Sequence, residues 1–371
     1  MRFIFDNKEM MSKLMFAKEV VASKNAMSIL SNILMVLNNG VLEIRCVDQA
    51  TAMMTTIEVD SQEDGRAVVY LDKMISIVSS LPSGLVEFIA EQGQILFRPM
   101  NSKKVSFKLK CLSDNQYPLI PSLDVTDLNW QSLPAKDLKR LLSCTINSVS
   151  TDDTRYFLCG VFLEEIECKL NAVGTDGNML SMCTAELTSP LNFNNDNIIV
   201  PTKALSIVIK KFSDDGQIDI ALNENNIYFR KDGVTLTTVL RDGKYPNYKR
   251  VIPENQQNYM DIPRDELLET LARVGQMADS KFKKCVFTIS ESTLKVDTTS
   301  SELGNATEEI DVKANGKPMQ IHFNIDKLLL ALKSCDAETV RFEYTDSLKP
   351  ITISEQPYGN RFHVVMPLRS V

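Results

Sequence analysis

The sequence predicts an α+β protein built from three copies of one domain, in which two helices pack on antiparallel sheets. Three observations carry that prediction. The segments LSDNQYPLIPSL (112–123) and LRDGKYPNYKRVIP (240–253) echo one another, each with an aspartate ahead of a Tyr-Pro pair and a second proline behind it. Pro118, Pro246 and Pro367 stand 128 and 121 residues apart, a period far longer than that of solenoid repeats. Between these marks the same succession of helical and strand-like patterns recurs. At 371 residues the chain has the length of two or three ordinary domains.

The first helix of each copy follows a short strand-like lead: MRFIF, LNWQSL and YMDI. NKEMMSKLMFAKEVVA (7–22) places Met11, Leu14 and Val21 inward and leaves Lys8, Lys13 and Lys18 outside. LPAKDLKRLLSCTINSVS (133–150) has Pro134 suited to a first turn, an apolar stripe of Leu138, Leu141, Leu142 and Ile146, and an opposite face of Lys136, Lys139, Arg140, Ser143 and Asn147. IPRDELLETLARVGQMA (262–278) repeats the plan with Pro263 and a stripe of Leu267, Leu271, Val274 and Ala278. The second helix recurs as LDKMISIVSSL (71–81), PTKALSIVIKKF (201–212) and NIDKLLLALKSC (324–335), each behind an apolar strand. Alternating strand segments follow each time: VEFIAEQGQILFRP, IDIALNENNIYFRKDGVTLTTVL and VRFEYTDSLKPITIS. Domains are therefore expected at 1–125, 126–254 and 255–371.

Composition excludes several classes. With 44% hydrophobic and 24% charged residues the chain should fold throughout. The N-terminus lacks a secretory apolar region, and the most apolar run, AMSILSNILMVL, is too short to span a bilayer. A cytoplasmic protein is expected. The eight cysteines contain no C-x-x-C pair, so neither zinc nor disulfides are expected. No phosphate-binding loop and no G-x-G-x-x-G are present, and no cofactor is expected. The only histidines, His322 and His363, lie in strand-like alternation where packing is the commoner role. Adjacent carboxylates such as Asp152-Asp153 and Glu164-Glu165 suit solvated turns, and no pattern supports an enzyme. The net charge of −7 argues against an ordinary nucleic-acid binder.

TRYFLCGVFLE (154–164), VGTDGNMLSM (173–182), NIIVPTKAL (197–205), LRDGKYPNYKRVIP and the terminal VVMPLR (364–369) together resemble the bacterial sliding clamps, the beta subunits of the replicative DNA polymerase III. The likeness runs in order along the whole chain. It implies a head-to-tail homodimer whose six domains form a ring with helices lining the hole, a processivity factor rather than an enzyme. Size is compatible with that: a domain of ~120 residues is about 35 Å across, so three touching spheres leave a gap of about 5 Å and six leave about 35 Å. B-DNA, about 20 Å wide, passes only the larger opening. Enclosure would let an acidic chain hold DNA through a locally basic hole.

On this resemblance Lys136, Lys139, Arg140, Lys203, Lys210 and Lys211 are expected to face duplex DNA, with Lys8, Lys13, Lys18, Lys73, Arg264, Arg273 and Lys333 as further candidates. Family DNA contacts also map to Lys24, Tyr156 and Phe157, whereas two basic family positions carry Thr202 and Asp152 here. The resemblance further implies a pocket for short peptides of the polymerase, the clamp loader and repair proteins. Its residues would be Leu158, Thr175, Gly177, Asn178, Met179, Leu180, Pro246, Arg250, Val251, Pro350, Val364, Val365, Met366, Pro367, Leu368 and Arg369. Asn178-Met179 replaces the usual His-Arg pair. Without the resemblance, the same apolar set reads better as interdomain core. The dimer interface is expected at Phe107, Leu109, Gln276 and Met277, flanked by Lys73. A scaffold that binds peptides but not DNA stays open as an alternative at this point.

Overall fold

The computed structural model describes residues 1–21, 29–102, 104–112, 117–124, 126–188, 190–191, 198–300, 304–357 and 359–369. Its elements run three times in one order. In the first pass Arg2–Asp6 leads into α1 (Asn7–Val20), strands lead to α2 (Leu71–Ser80), and Leu85–Glu91, Gln94–Pro99 and Phe107–Lys110 follow. The second runs from Gln131–Pro134 through α3 (Ala135–Thr145) and α4 (Thr202–Lys211) to Val234–Val239. The third runs from Asn258–Pro263 through α5 (Arg264–Val274) and α6 (Ile325–Lys333) to Arg361–Val365. Among the described residues each pass thus holds two α-helices, and three strands follow each second one. The strand pairings among the described residues are antiparallel, so the fold is the expected α+β type.

Local chemistry sets the helix starts. Asp6 caps α1, its carboxylate accepting the N–H groups of Lys8 (2.9 Å) and Glu9 (3.1 Å). Where a first turn with proline is expected, the structure instead ends the preceding strand on it. Pro134 and Pro263 are the last residues of their strands, and the helices begin at Ala135 and Arg264. Pro263 has φ −59° and ψ 118°, an extended geometry its ring favours and one that needs no N–H. The stripe of α1 is also shifted: Met10, Leu14, Ala17 and Val20 are buried, whereas Met11 and Val21 are half-buried. In α3, Leu138, Leu141 and Leu142 are fully buried, with Lys136 and Ser143 exposed; the helix ends at Thr145, and the expected Ile146 and Asn147 fall in the tighter turn Ile146–Ser148, half-buried and exposed respectively. Each such leucine contributes about 1.5–3 kcal/mol of burial.

The chain forms two compact units, 1–135 with 203–240 and 136–202 with 241–371. In the first, Asp60–Glu63, Arg2–Asp6, Leu85–Glu91, Gln94–Pro99 and Phe107–Lys110 form a five-stranded sheet in that spatial order. Phe88 stacks on Phe3 and meets Phe97 edge-on in its core. An eight-stranded sheet in the same unit joins strands of the first and second passes, Val234–Val239 pairing with Thr51–Glu58. In the second unit a nine-stranded sheet joins the second and third passes, Met179–Glu186 pairing with Arg361–Val365. A four-stranded sheet ends on Gly304–Asp311. The last strand of one pass therefore extends the sheet of another.

The repeated Tyr-Pro pairs have one structural role. Tyr117 is buried among Leu34, Ala52 and Val68 and donates its hydroxyl to the Asn32 carbonyl (3.2 Å). Tyr245 stacks on Phe162 (4.6 Å) and donates to the Val173 carbonyl (3.3 Å). Each pins an irregular segment to a sheet through ring burial and a satisfied hydroxyl.

One close approach tests the packing of α3. A Cβ on Gly174 would lie 2.3 Å from the Thr145 carbonyl oxygen at the end of that helix. Gly174→Ala is expected to lower stability by about 1–3 kcal/mol, read as a reduced urea midpoint, because the obstacle is backbone. A midpoint equal to wild type would contradict this packing.

Candidate functional site

In the second unit, the strand Lys169–Thr175 turns back through Asp176, Gly177 and Asn178 into the strand that begins at Met179. Asp176 Oδ1 accepts the N–H groups of Asn178 (2.9 Å) and Met179 (2.8 Å). Gly177 has φ +89°, in the region that suits glycine, and a Cβ there would stand 3.2 Å from Arg155 Nη1. Thr175 Oγ1 accepts the Gly177 N–H (3.1 Å) and donates to the Met179 carbonyl (2.6 Å). This turn walls a cavity of about 220 Å³.

Of the residues expected at a pocket, Leu158, Thr175, Gly177, Asn178, Met179, Leu180, Pro246, Val251, Val364 and Met366 line that cavity together. Its floor is the cluster of Leu158, Phe162, Val173, Leu180, Tyr245, Tyr248 and Val364. Burial raises the Tyr245 hydroxyl pKa, so the group is a neutral donor. Met366, 39% exposed, forms part of the accessible wall.

The other expected residues are not among those that line it. Val365 belongs to the core beside Met179, and Pro350 offers its carbonyl to Gln256 (3.0 Å). Leu368 donates its N–H to the His322 carbonyl (2.7 Å). Pro367 is half-buried, while Arg250 and Arg369 are exposed. Two lining residues were not anticipated, Asn247 and Tyr248. Tyr248 donates to Glu164 Oε2 (2.6 Å), and Lys249 reaches Glu164 Oε1 (3.1 Å). The adjacency of Tyr248 to the Tyr-Pro pair was the available signal.

The basic positions divide by their partners. Lys136, Lys210, Lys8, Lys18, Lys73 and Lys333 are exposed. Lys139 is half-buried, and Lys13 reaches the Asp232 carbonyl (3.2 Å). Lys203 is paired with Asp48 (2.5 Å) and donates to the Val20 carbonyl (2.6 Å), and Lys211 is paired with Glu19 (3.2 Å). Arg140 meets Asp137 (3.3 Å), and Arg264 meets Asp265 (2.7 Å). Arg273 meets both Glu269 (3.1 Å) and Glu308 (2.5 Å). Tyr156 is 47% exposed, its ring edge-on to Phe157. Asp152 caps the short helix Asp153–Leu158, and hydrogen bonds, first from the Thr154 hydroxyl, hold its carboxyl below the usual range. Lys24 lies outside the described residues.

Phe107 and Leu109 are half-buried on the outermost strand Phe107–Lys110. In the other unit Gln276 is exposed, and Met277 packs where a Cβ on Gly304 would come within 3.5 Å of its methyl. Gly304 opens Gly304–Asp311, an outermost strand of the four-stranded sheet. No described helix is long and apolar enough to cross a membrane. Among the described residues no group of three or more His, Cys, Asp and Glu side chains is arranged to hold a metal ion. All eight cysteines are free thiols.

Comparison with known proteins gives one answer along the chain. The N-terminal, central and C-terminal domains of the DNA polymerase III beta subunit match residues 1–121, 132–247 and 249–369. The chain is 32% identical to the beta sliding clamp of Treponema pallidum and 28% identical to that of Escherichia coli K12, each over all of both chains. A crystal structure of the DNA polymerase III subunit beta from Pseudomonas aeruginosa is 28% identical, with a TM-score of 0.93 over all of both chains. Another structure of the Pseudomonas clamp, with the same score, identity and coverage, is bound to griselimycin.

The sheet behind the cavity buries a histidine. His363 is fully buried, its Nδ1 2.7 Å from Ser181 Oγ and its Nε2 2.9 Å from Ser334 Oγ. Ser148 continues the chain of hydroxyls beyond Ser181. Burial, with a smaller contribution from Arg361, lowers the His363 pKa to about 3. The folded protein therefore keeps His363 neutral where the unfolded chain protonates it. Its stabilising contribution is complete above pH 6.5 and is lost as pH falls toward 3, at about 1.4 kcal/mol per pH unit for one proton. Between pH 6.5 and 5 the wild type should lose unfolding free energy more steeply than His363→Gln by about that slope. Parallel denaturation profiles for the two proteins would remove His363 from the pH response.

Proposed function

The chain belongs to the family of the DNA polymerase III beta subunit, the beta sliding clamps, and from that premise we propose that two copies close head to tail around duplex DNA. The ring slides on the duplex and tethers a DNA polymerase, the clamp loader and repair proteins, whose short peptides enter the cavity walled by Gly177, Met179, Leu180, Val364 and Met366. The single observation that carries this is the unbroken succession of three clamp domains over residues 1–121, 132–247 and 249–369. We place the repeat boundaries near 125/126 and 254/255. The protein acts by enclosure and tethering, without catalysing a reaction, in the cytoplasm.

Two outermost strands, one in each compact unit, support closure. Phe107–Lys110 presents exposed Lys108 and Lys110 beside half-buried Phe107 and Leu109. Gly304–Asp311 presents exposed Glu309 and Asp311, with Met277 packed near Gly304. Open strand edges of opposite charge suit pairing between copies, and a head-to-tail contact of this kind closes when its rotation returns to the start. Lys73 flanks the first edge and Gln276 the second. The exposed lysines Lys136 and Lys210, with Lys139, Arg140, Tyr156 and Phe157, face the duplex. Lys203 and Lys211 contribute there with their charge partly compensated by Asp48 and Glu19.

Enclosure is tested by retention. Loaded onto nicked circular DNA, the protein should persist on the circle and be lost when a restriction enzyme linearises it, as followed by gel filtration of labelled protein with DNA. Equal retention on circles and freely ended linear DNA would reject enclosure. The pocket is tested by calorimetric titration with griselimycin, where Met366→Ala should weaken binding by at least about fivefold. Unchanged affinity would place the ligand elsewhere.

A further inference from the structure

The cavity wall depends on one carboxylate whose second oxygen is held from outside the cavity. Asp176 Oδ1 fixes the N–H groups of Asn178 and Met179, while Oδ2 is ion-paired with Lys327 on α6. The Asp176 and Lys327 side chains are 14% and 26% exposed, so solvent screens the pair less than a surface pair. Two further elements grip the turn, but through its carbonyls. Arg155 Nη1 donates to the Asp176 carbonyl (3.0 Å), and the Met366 N–H donates to that of Asn178 (2.9 Å). Neither bond restrains the Asp176 carboxylate.

Helix α6 is a firm anchor for that restraint. Asn324 caps it by accepting the Lys327 N–H (3.1 Å), and Leu328, Ala331 and Leu332 are fully buried. Lys327 Nζ is therefore carried on a fixed first turn. Without it, the Asp176 side chain could rotate toward water and release the two N–H groups that orient Asn178 and Met179.

We propose that Lys327 is a positioning residue of the peptide pocket, which holds the Asp176 carboxylate and so sets the Gly177–Met179 wall without lining the cavity. This rests on the assignment of that cavity as the peptide pocket. Such a residue should act on ligand affinity only through Asp176.

The test is calorimetric titration of the full-length protein with griselimycin. Lys327→Gln should weaken binding by about tenfold, Lys327→Arg should restore it to within about threefold of wild type, and Asp176→Asn should weaken it at least as much as Lys327→Gln. Adding Lys327→Gln to Asp176→Asn should change affinity by less than about twofold, the non-additivity that a merely structural loss elsewhere on α6 would not give. Lys327→Gln within about twofold of wild type, or an equal loss in both backgrounds, would overturn the proposal. Binding that Met366→Ala weakens and Lys327→Gln leaves intact sinks the role of Lys327 alone. Binding indifferent to Met366→Ala, or absent in the wild type, overturns the pocket and Lys327 together.

Discussion

The cavity depends on the antiparallel pairing of Met179–Cys183 with Arg361–Val365. That register sets Met179 opposite Val365, Leu180 opposite Val364 and Ser181 opposite His363. Because side chains alternate across a strand, Leu180 and Val364 join the aromatic cluster on one face, while Met179 and Val365 join the core of the third repeat. A slip of one residue would exchange those faces. It would also put the Ser181 and His363 positions among the aromatic rings. The pocket is thus the end of a seam between two repeats, and its apolar lining follows from the register that joins them.

A buried polar pair on such a seam is informative about register. His363 finds hydroxyl partners on both sides, Ser181 across the ladder and Ser334 just beyond α6. An unpartnered imidazole in that place would cost a full desolvation penalty, so alternative pairings that leave it unsatisfied are disfavoured. The apolar residues supply most of the seam's burial, and the hydroxyl chain selects the pairing. The same division recurs at the Tyr-Pro anchors, where ring burial is joined to one satisfied hydroxyl.

What could be read from the sequence was local or periodic. The stripes of α3 and α5 were visible because leucines three and four apart share a helix face, and the triple order of elements was visible because its spacing survives divergence. Ten residues of the cavity lining follow from the resemblance; their apolar composition alone favours a core. In α1 apolar residues stand on more than one face, so the pattern alone does not single out Met10, Leu14, Ala17 and Val20 as the buried stripe. Pro134 and Pro263 were placed in first turns because their fixed φ suits a helix start as well as a strand end. Pairings across long separations had no local signature. Lys203 meets Asp48, Lys211 meets Glu19 and Lys327 meets Asp176 only after the chain has folded. Asn247 and Tyr248 join the cavity for the same reason, since the 245–251 segment is laid on its sheet by a ring stacked on Phe162.

Charge placement reconciles an acidic chain with a polyanionic partner. A protein that adheres to DNA by neutralising many phosphates binds tightly and with steep salt dependence. A ring that holds the duplex by topology has no need of such contacts, and strong ones would oppose translocation. Asp48 and Glu19 act as internal anions, taking up part of the field of Lys203 and Lys211. Asp152 is committed to capping the short helix Asp153–Leu158 and adds negative charge there. Proposed enclosure therefore turns the net charge of −7 from an objection into a compatible property, because a duplex confined by a closed ring needs no net attraction to the chain as a whole.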